Sequence, residues 1–439
     1  MKKIIALLLT VAMVACICGC SSNTNDLSSG SVDVEIEEII MNESGSSATN
    51  PQNSTTSSAD KVNQNSQHTQ GSDHTQTSEQ SSSTTTTTDT TEIDYNKVVE
   101  VDICDTYVRG YLNAKNAYDQ YDWLNKYSGT SQDYQKLSVD WVRDGSSNYT
   151  VYFSENADFS KSIKIQTNSN NIKTANLIPG KTYYWKVIGM FSDKALEGGR
   201  IKVKDAPVRW IGIDGTENVR DMGGWKTESG KTVKYGMLYR GKNIDKITAA
   251  GIKTIKQLGL KTELDLRYSG QKYQLQGTGM NYVFLETSAQ YDYIFDEPYS
   301  NEVKTNYKKI FELLSDESNY PFYTHCSAGA DRTGTFAFLL NGLLGVSYED
   351  LTRDFELTSF SSSGKRWRGN GTGGTFGDND LEMTVEGNYV AWGKLNKRMM
   401  EYGSKNGCTT LSQSIEHYLI NYVGVPKSQI DSFKNIMLK

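Results

Sequence analysis

The chain has 439 residues, enough for two or three domains. Its formal charge of −6 gives no general attraction to nucleic acid. Hydrophobic content is 37%, low for one compact globule, and the deficit is concentrated near the N-terminus. Four histidines and no CxxC pairs leave no raw material for a histidine-rich or zinc centre. Histidine-based serine hydrolysis lacks support for the same reason, and neither a metal nor a cofactor is expected.

Met1-Lys2-Lys3 is a basic start, and Ile4 to Ile17 is an apolar run too short for a good membrane span. Ile17-Cys18-Gly19-Cys20 resembles a bacterial lipobox, which implies a signal peptide over residues 1–19 and a lipid on Cys20. The expected location is extracytoplasmic, on the bacterial cell membrane. Residues 20–96 are dominated by Ser, Thr, Asn, Gln and Asp. Such a tract has almost nothing apolar to bury, so it reads as a disordered stalk. About 70 flexible residues span roughly 50 Å, enough to clear a surface polymer layer.

From 97 to 206 the pattern changes. Leu137 to Val142 and Tyr149 to Phe153 alternate apolar and polar, as half-buried strands do. Leu177-Ile178-Pro179-Gly180 then leads through a turn into Thr182-Tyr183-Tyr184-Trp185-Lys186-Val187. Short strands with turns suggest a β-sandwich, and this last run resembles fibronectin type III modules. What ligand such a module takes is open. Tyr111 to Tyr127 is aromatic-rich and fits surface strands, a helix or a ligand face, with packing the favoured role. Once Cys16 and Cys18 leave with the leader and Cys20 is anchored, Cys104, Cys326 and Cys408 remain. An odd count fits one reactive thiol better than a disulfide framework, although a Cys104–Cys408 bridge is conceivable.

Residues 207–439 alternate helix and strand patterns, which predicts an α/β layer fold. Ala249 to Leu258 and Val303 to Leu314 read as helices, and Lys261 to Leu266 and Tyr282 to Glu286 as strands. Tyr320 to Thr324 reads as a short buried strand and Thr335 to Leu344 as a buried helix. Between them lies His325-Cys326-Ser327-Ala328-Gly329-Ala330-Asp331-Arg332-Thr333-Gly334. Strand, tight loop and helix start form a cradle for a dianion: loop amides converge, and the helix N-terminus adds about half a positive charge. The same field lowers a thiol from about 8.5 into a range of roughly 3.5–7.5. Arg332 offers a planar fork for phosphate oxygens.

That string resembles the signature of the cysteine-dependent tyrosine phosphatases. Asn218-Val219-Arg220-Asp221-Met222-Gly223-Gly224, followed by Gly236-Met237-Leu238-Tyr239-Arg240, resembles the N-terminal signature of the bacterial tyrosine/serine phosphatase family. Leu264-Asp265-Leu266-Arg267 and Asp354-Phe355-Glu356-Leu357-Thr358 resemble further elements of it. The resemblance implies a phosphatase fold with a central sheet flanked by helices. One departure is Ala330, where the family usually carries Lys, and this puts a phosphoinositide preference in doubt.

The implied mechanism has the Cys326 thiolate attack a phosphate monoester and form a phosphocysteine. Arg332 and the amides of Ser327, Ala328, Gly329, Ala330, Asp331 and Arg332 would hold the equatorial oxygens. Thr333 would hydrogen-bond the thiolate or cap the helix. Asp331, inside the loop, is the first candidate for general acid. Asp265 is the second, with a structural bond to Arg267 as its competing role. His325 is expected to orient the loop, and Arg220 and Asp221 to form a structural pair. The basic run Gly364-Lys365-Arg366-Trp367-Arg368-Gly369 is expected to close over the phosphate, to contact an acidic substrate or to be a solvated loop. The favoured substrate is protein phosphotyrosine, with dual specificity open. An inositol phosphate or phosphoinositide is the alternative substrate, and a non-enzymatic surface binding protein the alternative role.

Overall fold

The computed structural model describes residues 93–129, 137–173, 176–368 and 390–439. The leader, Cys20, nearly all of the polar tract and the glycine run 371–377 lie outside the described residues. All the described residues fall in one compact unit, Thr87–Lys439.

Among the described residues the N-terminal part has seven strands. They are β1 (Val98–Val101), β2 (Val139–Asp140), β3 (Tyr149–Ser154), β4 (Ile163–Thr167), β5 (Asn171–Ile172), β6 (Thr182–Gly189) and β7 (Ala195–Val203). Five form a sheet in the order β1-β7-β6-β3-β4, and β2 pairs with β5 in a second, small sheet. Period-two burial decides which face is covered. In β3, Tyr149, Val151 and Phe153 are buried and Thr150 and Tyr152 are not. Those three share one apolar cluster with Val139 from β2, Trp141 just after it and Ile172 from β5.

Inside the span expected to be a β-sandwich, the described residues include two helices, α1 (Thr106–Asn113) and α2 (Ala117–Tyr127), so the helix alternative holds for the aromatic run. Each has a good N-cap: Asp105 accepts from the Tyr107 amide, and Asn116 accepts from the Asp119 amide. Their buried residues, Val108, Tyr111 and Leu124, join the apolar cluster of the α/β part rather than that of the β part. The aromatic run therefore packs. No disulfide joins Cys104 to Cys408.

The α/β part holds a mixed sheet of β8 (Arg220–Asp221), β9 (Leu238–Gly241), β10 (Thr262–Asp265), β11 (Asn281–Phe284) and β12 (Phe322–His325), in the order β11-β10-β12-β9-β8. β9 to β12 run parallel, and β8 is antiparallel on the edge. Helix α3 (Ala249–Leu258) contributes Ile255 to a cluster with Tyr239 and Tyr323. The main core holds Leu238 and Phe322 with α4 (Ser300–Leu314), α5 (Arg332–Leu343) and α6 (Tyr348–Glu356). Neighbouring strand residues thus face opposite layers, as the pleat requires. The predicted helix 249–258 coincides with α3, and α4 begins three residues before its predicted start. All twelve residues of α5 are buried, as is every residue of β12. The central strand therefore delivers its C-terminal end, and the helix its N-terminal end, to one place.

Candidate active site

Residues 326–331 join β12 to α5. Side chains outside the loop hold its carbonyls. Asn218 Nδ2 donates to Ala328 O at 3.0 Å, and Asn243 Nδ2 donates to Ser327 O at 3.0 Å. Arg240 Nη2 donates to Gly329 O at 2.9 Å and to Ala330 O at 3.3 Å. Peptide planarity then turns the loop amides the other way, toward the cradle. Gly329 has φ +70, and a Cβ there would lie 2.1 Å from Gly241 O, so only glycine lets the loop close against β9. Asn218 itself has φ +57, a left-handed conformation that Asn tolerates better than most residues.

The Cys326 side chain lies at the floor, 2% exposed. Burial pushes its thiol up. The Thr333 hydroxyl, the Arg332 charge and the Thr333 amide more than offset this, and the thiol ends below its ordinary value. The Thr333 hydroxyl is buried with no other partner among the described residues, which leaves it for the sulfur. His325 is wholly buried, with Nε2 3.0 Å from Glu263 Oε1 and Nδ1 3.2 Å from Cys326 O. That arrangement fits the expected role of orienting the loop. Arg332 donates to Leu266 O at 3.3 Å and to Ser327 Oγ at 3.2 Å, and its guanidinium lies 4.4 Å from the Tyr268 ring centre.

Beneath the loop sits a buried charge cluster. Asp354 receives Arg220 Nε at 2.8 Å and Arg240 Nη1 at 2.5 Å. Burial raises the Asp354 carboxyl, but the two guanidinium groups hold it below the usual range. The expected Arg220–Asp221 pair does not form. Neighbours on a strand point to opposite faces, so Arg220 turns to Asp354 while Asp221 takes Arg209 at 2.7 Å. Arg240 and Asp354 were visible only as motif letters, and their role under the loop needed the fold.

The two acid candidates differ. Asp265 is fully buried and accepts Arg267 N, Nε and Nη2 at 3.0, 3.0 and 2.9 Å and Tyr282 Oη at 2.8 Å. Burial raises its carboxyl, yet Arg267, His325 and Tyr282 bring it below its ordinary value. These bonds fit its competing role as a structural partner of Arg267. Asp331 is about one-quarter exposed at the cradle. It accepts Arg366 Nε at 2.9 Å and Nη2 at 3.1 Å, and Tyr291 Oη donates to its Oδ1. The basic segment is thus no solvated loop where it is described: Arg366 faces Asp331, and Arg368 is buried against Glu356.

Fold and site define an α/β domain with an acidified thiol at the floor of an anion cradle. Residues 211–439, more than half of the chain, match the tyrosine phosphatase family, and the protein belongs to that family. A Cupriavidus necator protein assigned by name to the tyrosine-protein phosphatases is 29% identical over 168 residues, which is 33% of this chain. The match spans 61% of that relative's length. The core catalytic domain of the PP-IP phosphatase SIW14 from S. cerevisiae, in complex with citrate, is 20% identical, covering 28% of this chain and 72% of that one, with a TM-score of 0.22. That likeness is too weak to carry an argument.

Proposed function

We propose that the protein is a cysteine-dependent phosphomonoesterase acting on protein phosphotyrosine, with dual specificity open. The observation that carries this is the lowered Cys326 thiol inside a loop whose carbonyls from Ser327 to Ala330 are held by side chains outside it. The Cys326 sulfur attacks phosphorus as the bond to the leaving oxygen breaks. Arg332 and the loop amides take the charge spread over the equatorial oxygens. Water then attacks the phosphocysteine and returns the thiolate. Ala330 is fully buried and adds no charge to the cradle, which favours a singly phosphorylated group over an inositol polyphosphate. Assaying a phosphotyrosine peptide beside an inositol polyphosphate tests this. Faster hydrolysis of the polyphosphate would reverse the substrate assignment, and no hydrolysis of either would favour a binding role.

Asp331 is the proton donor in this reading. Its carboxyl gives a proton to the leaving oxygen as the bond to phosphorus breaks. Asp331→Asn should slow esters with poor leaving groups by about 10²–10⁴-fold and spare those with good ones. Asp265→Asn should lower all of them alike. Initial rates across a leaving-group series check this, and the opposite pattern exchanges the two roles.

The location follows as a further part of the proposal. A lipid on Cys20 holds the protein to the outer side of a bacterial membrane, and the seven-stranded N-terminal part is a fibronectin type III-like module carried beside the enzyme. Cys20→Ala should release the protein from the membrane fraction. An unmodified mature N-terminus elsewhere, seen by intact-mass spectrometry, would refute the anchor.

A further inference from the structure

Asp331 puts a negative charge into a loop built for anions. That charge opposes the Cys326 thiolate. It also repels an incoming dianion. Arg366 answers it with the two-point pair described above, reinforced by Tyr291. The other charged groups at the loop are Arg332, which touches Ser327, and Arg240 of β9, which is taken up by Asp354 and the loop carbonyls. His325, behind Cys326, faces Glu263. Arg366 is therefore the group matched to Asp331. Its side chain is only 9% exposed, and its remaining nitrogen donates to Lys365 O at 3.0 Å and Ser363 O at 3.4 Å.

The segment carrying Arg366 is clamped by the helical pair α1 and α2. Ser359 Oγ bonds both the amide and the carbonyl of Arg366, and Ser359 O accepts from the Gly129 amide at 2.9 Å. Arg368 pairs with Glu356 at 2.6 and 2.7 Å and donates to Gln120 Oε1 at 2.5 Å. Tyr111 Oη closes the network on Glu356 Oε2 at 2.5 Å. Lys365 Nζ reaches Asn125 Oδ1 at 2.9 Å, and the Tyr121 ring meets the Trp367 edge at 5.2 Å. These helices precede the family-matched residues 211–439, yet they hold a group that touches the cradle.

We propose that Arg366 is a positioning residue that cancels the charge of Asp331 inside the anion cradle, and that α1 and α2 are working parts of the active site because they hold it there. The proposal rests on reading Cys326 as the nucleophile. Removing Arg366 leaves Asp331 uncompensated beside the sulfur and the phosphate site, so the thiol becomes less acidic and anions bind less well.

The test is the pH dependence of Cys326 alkylation by iodoacetamide, read at that cysteine by mass spectrometry in the full chain. The reagent is neutral, so the cradle does not bias it. Arg366→Ala should move the midpoint up by about one pH unit, in line with a nearby charge. Arg366→Lys should recover part of the shift. Asp331→Asn should move the midpoint down, and the double variant Asp331→Asn with Arg366→Ala should return it close to the wild-type value, because two opposite charges held at one place are then lost together. Tyr111→Phe combined with Gln120→Ala should move it in the same direction as Arg366→Ala, by less. Should Arg366→Ala not fold, Arg366→Gln carries the same expectation with similar bulk. An unmoved midpoint in the Arg366 variants, or a double variant displaced as far as Arg366→Ala alone, overturns the proposal. No shift in the Tyr111/Gln120 variant removes the helices from it. A wild-type midpoint at the ordinary thiol value would instead sink the nucleophile assignment itself.

Discussion

Cys326→Ser should abolish turnover while keeping affinity for a phosphate ester. The cradle is made by backbone amides aimed by Asn218, Asn243 and Arg240, and none of these depends on the sulfur. Removing a covalent nucleophile typically costs about 10⁴–10⁶-fold in turnover. Serine is a much weaker nucleophile here, because the field that stabilises a thiolate falls far short of ionising a hydroxyl. Steady-state rates and calorimetric titration with a slowly hydrolysed ester separate the two effects. Arg332→Lys should also lose most activity, but it should lose binding as well. A point charge cannot replace a fork that also spans Leu266 O and Ser327 Oγ. Turnover retained by Cys326→Ser, with contamination excluded, would falsify the mechanism.

Asp354→Asn should be the most damaging change away from the reacting atoms. It removes the only carboxylate paired with two fully buried guanidinium groups among the described residues. Breaking a buried ion pair by removing one partner costs about 3–5 kcal/mol. Arg220 keeps Asn218 and Arg240 keeps the loop carbonyls, so the loss should fall toward the lower end. Denaturant titration measures it. The sign with pH is also fixed. The folded Asp354 carboxyl lies below its unfolded value of about 3.9, so its contribution is present above that pH. It fades as pH falls through the folded value. The wild type should therefore lose stability on strong acidification, and Asp354→Asn should lose less over that same range. Because Arg240 also holds Gly329 O and Ala330 O, the variant should bind inorganic phosphate more weakly even where it remains folded. Unchanged phosphate inhibition would show that the cradle does not need this support.

What sequence could determine here was local. Hydrophobic runs of the right length placed β12 and the buried helix after it, because a central strand and its crossover helix bury every residue. The spacing of Cys326, Gly329 and Arg332 placed nucleophile, turn and clamp in one loop, because that loop closes over a few consecutive residues. The Asn218, Arg240 and Asp354 motifs were legible as letters, but not as a scaffold that aims carbonyls away from an anion. That function depends on contacts between residues 84 to 134 positions apart. Strand alternation separated Arg220 from Asp221 and sent them to different partners. Tyr111 to Tyr127 stayed ambiguous because its aromatic pattern suits a strand or a helix equally, and only the caps at Asp105 and Asn116 with the partners across the interface decide it. Arg366 looked like one charge in a basic loop. Tertiary structure alone brings it 35 residues back to Asp331, where burial turns an ordinary surface charge into a paired one.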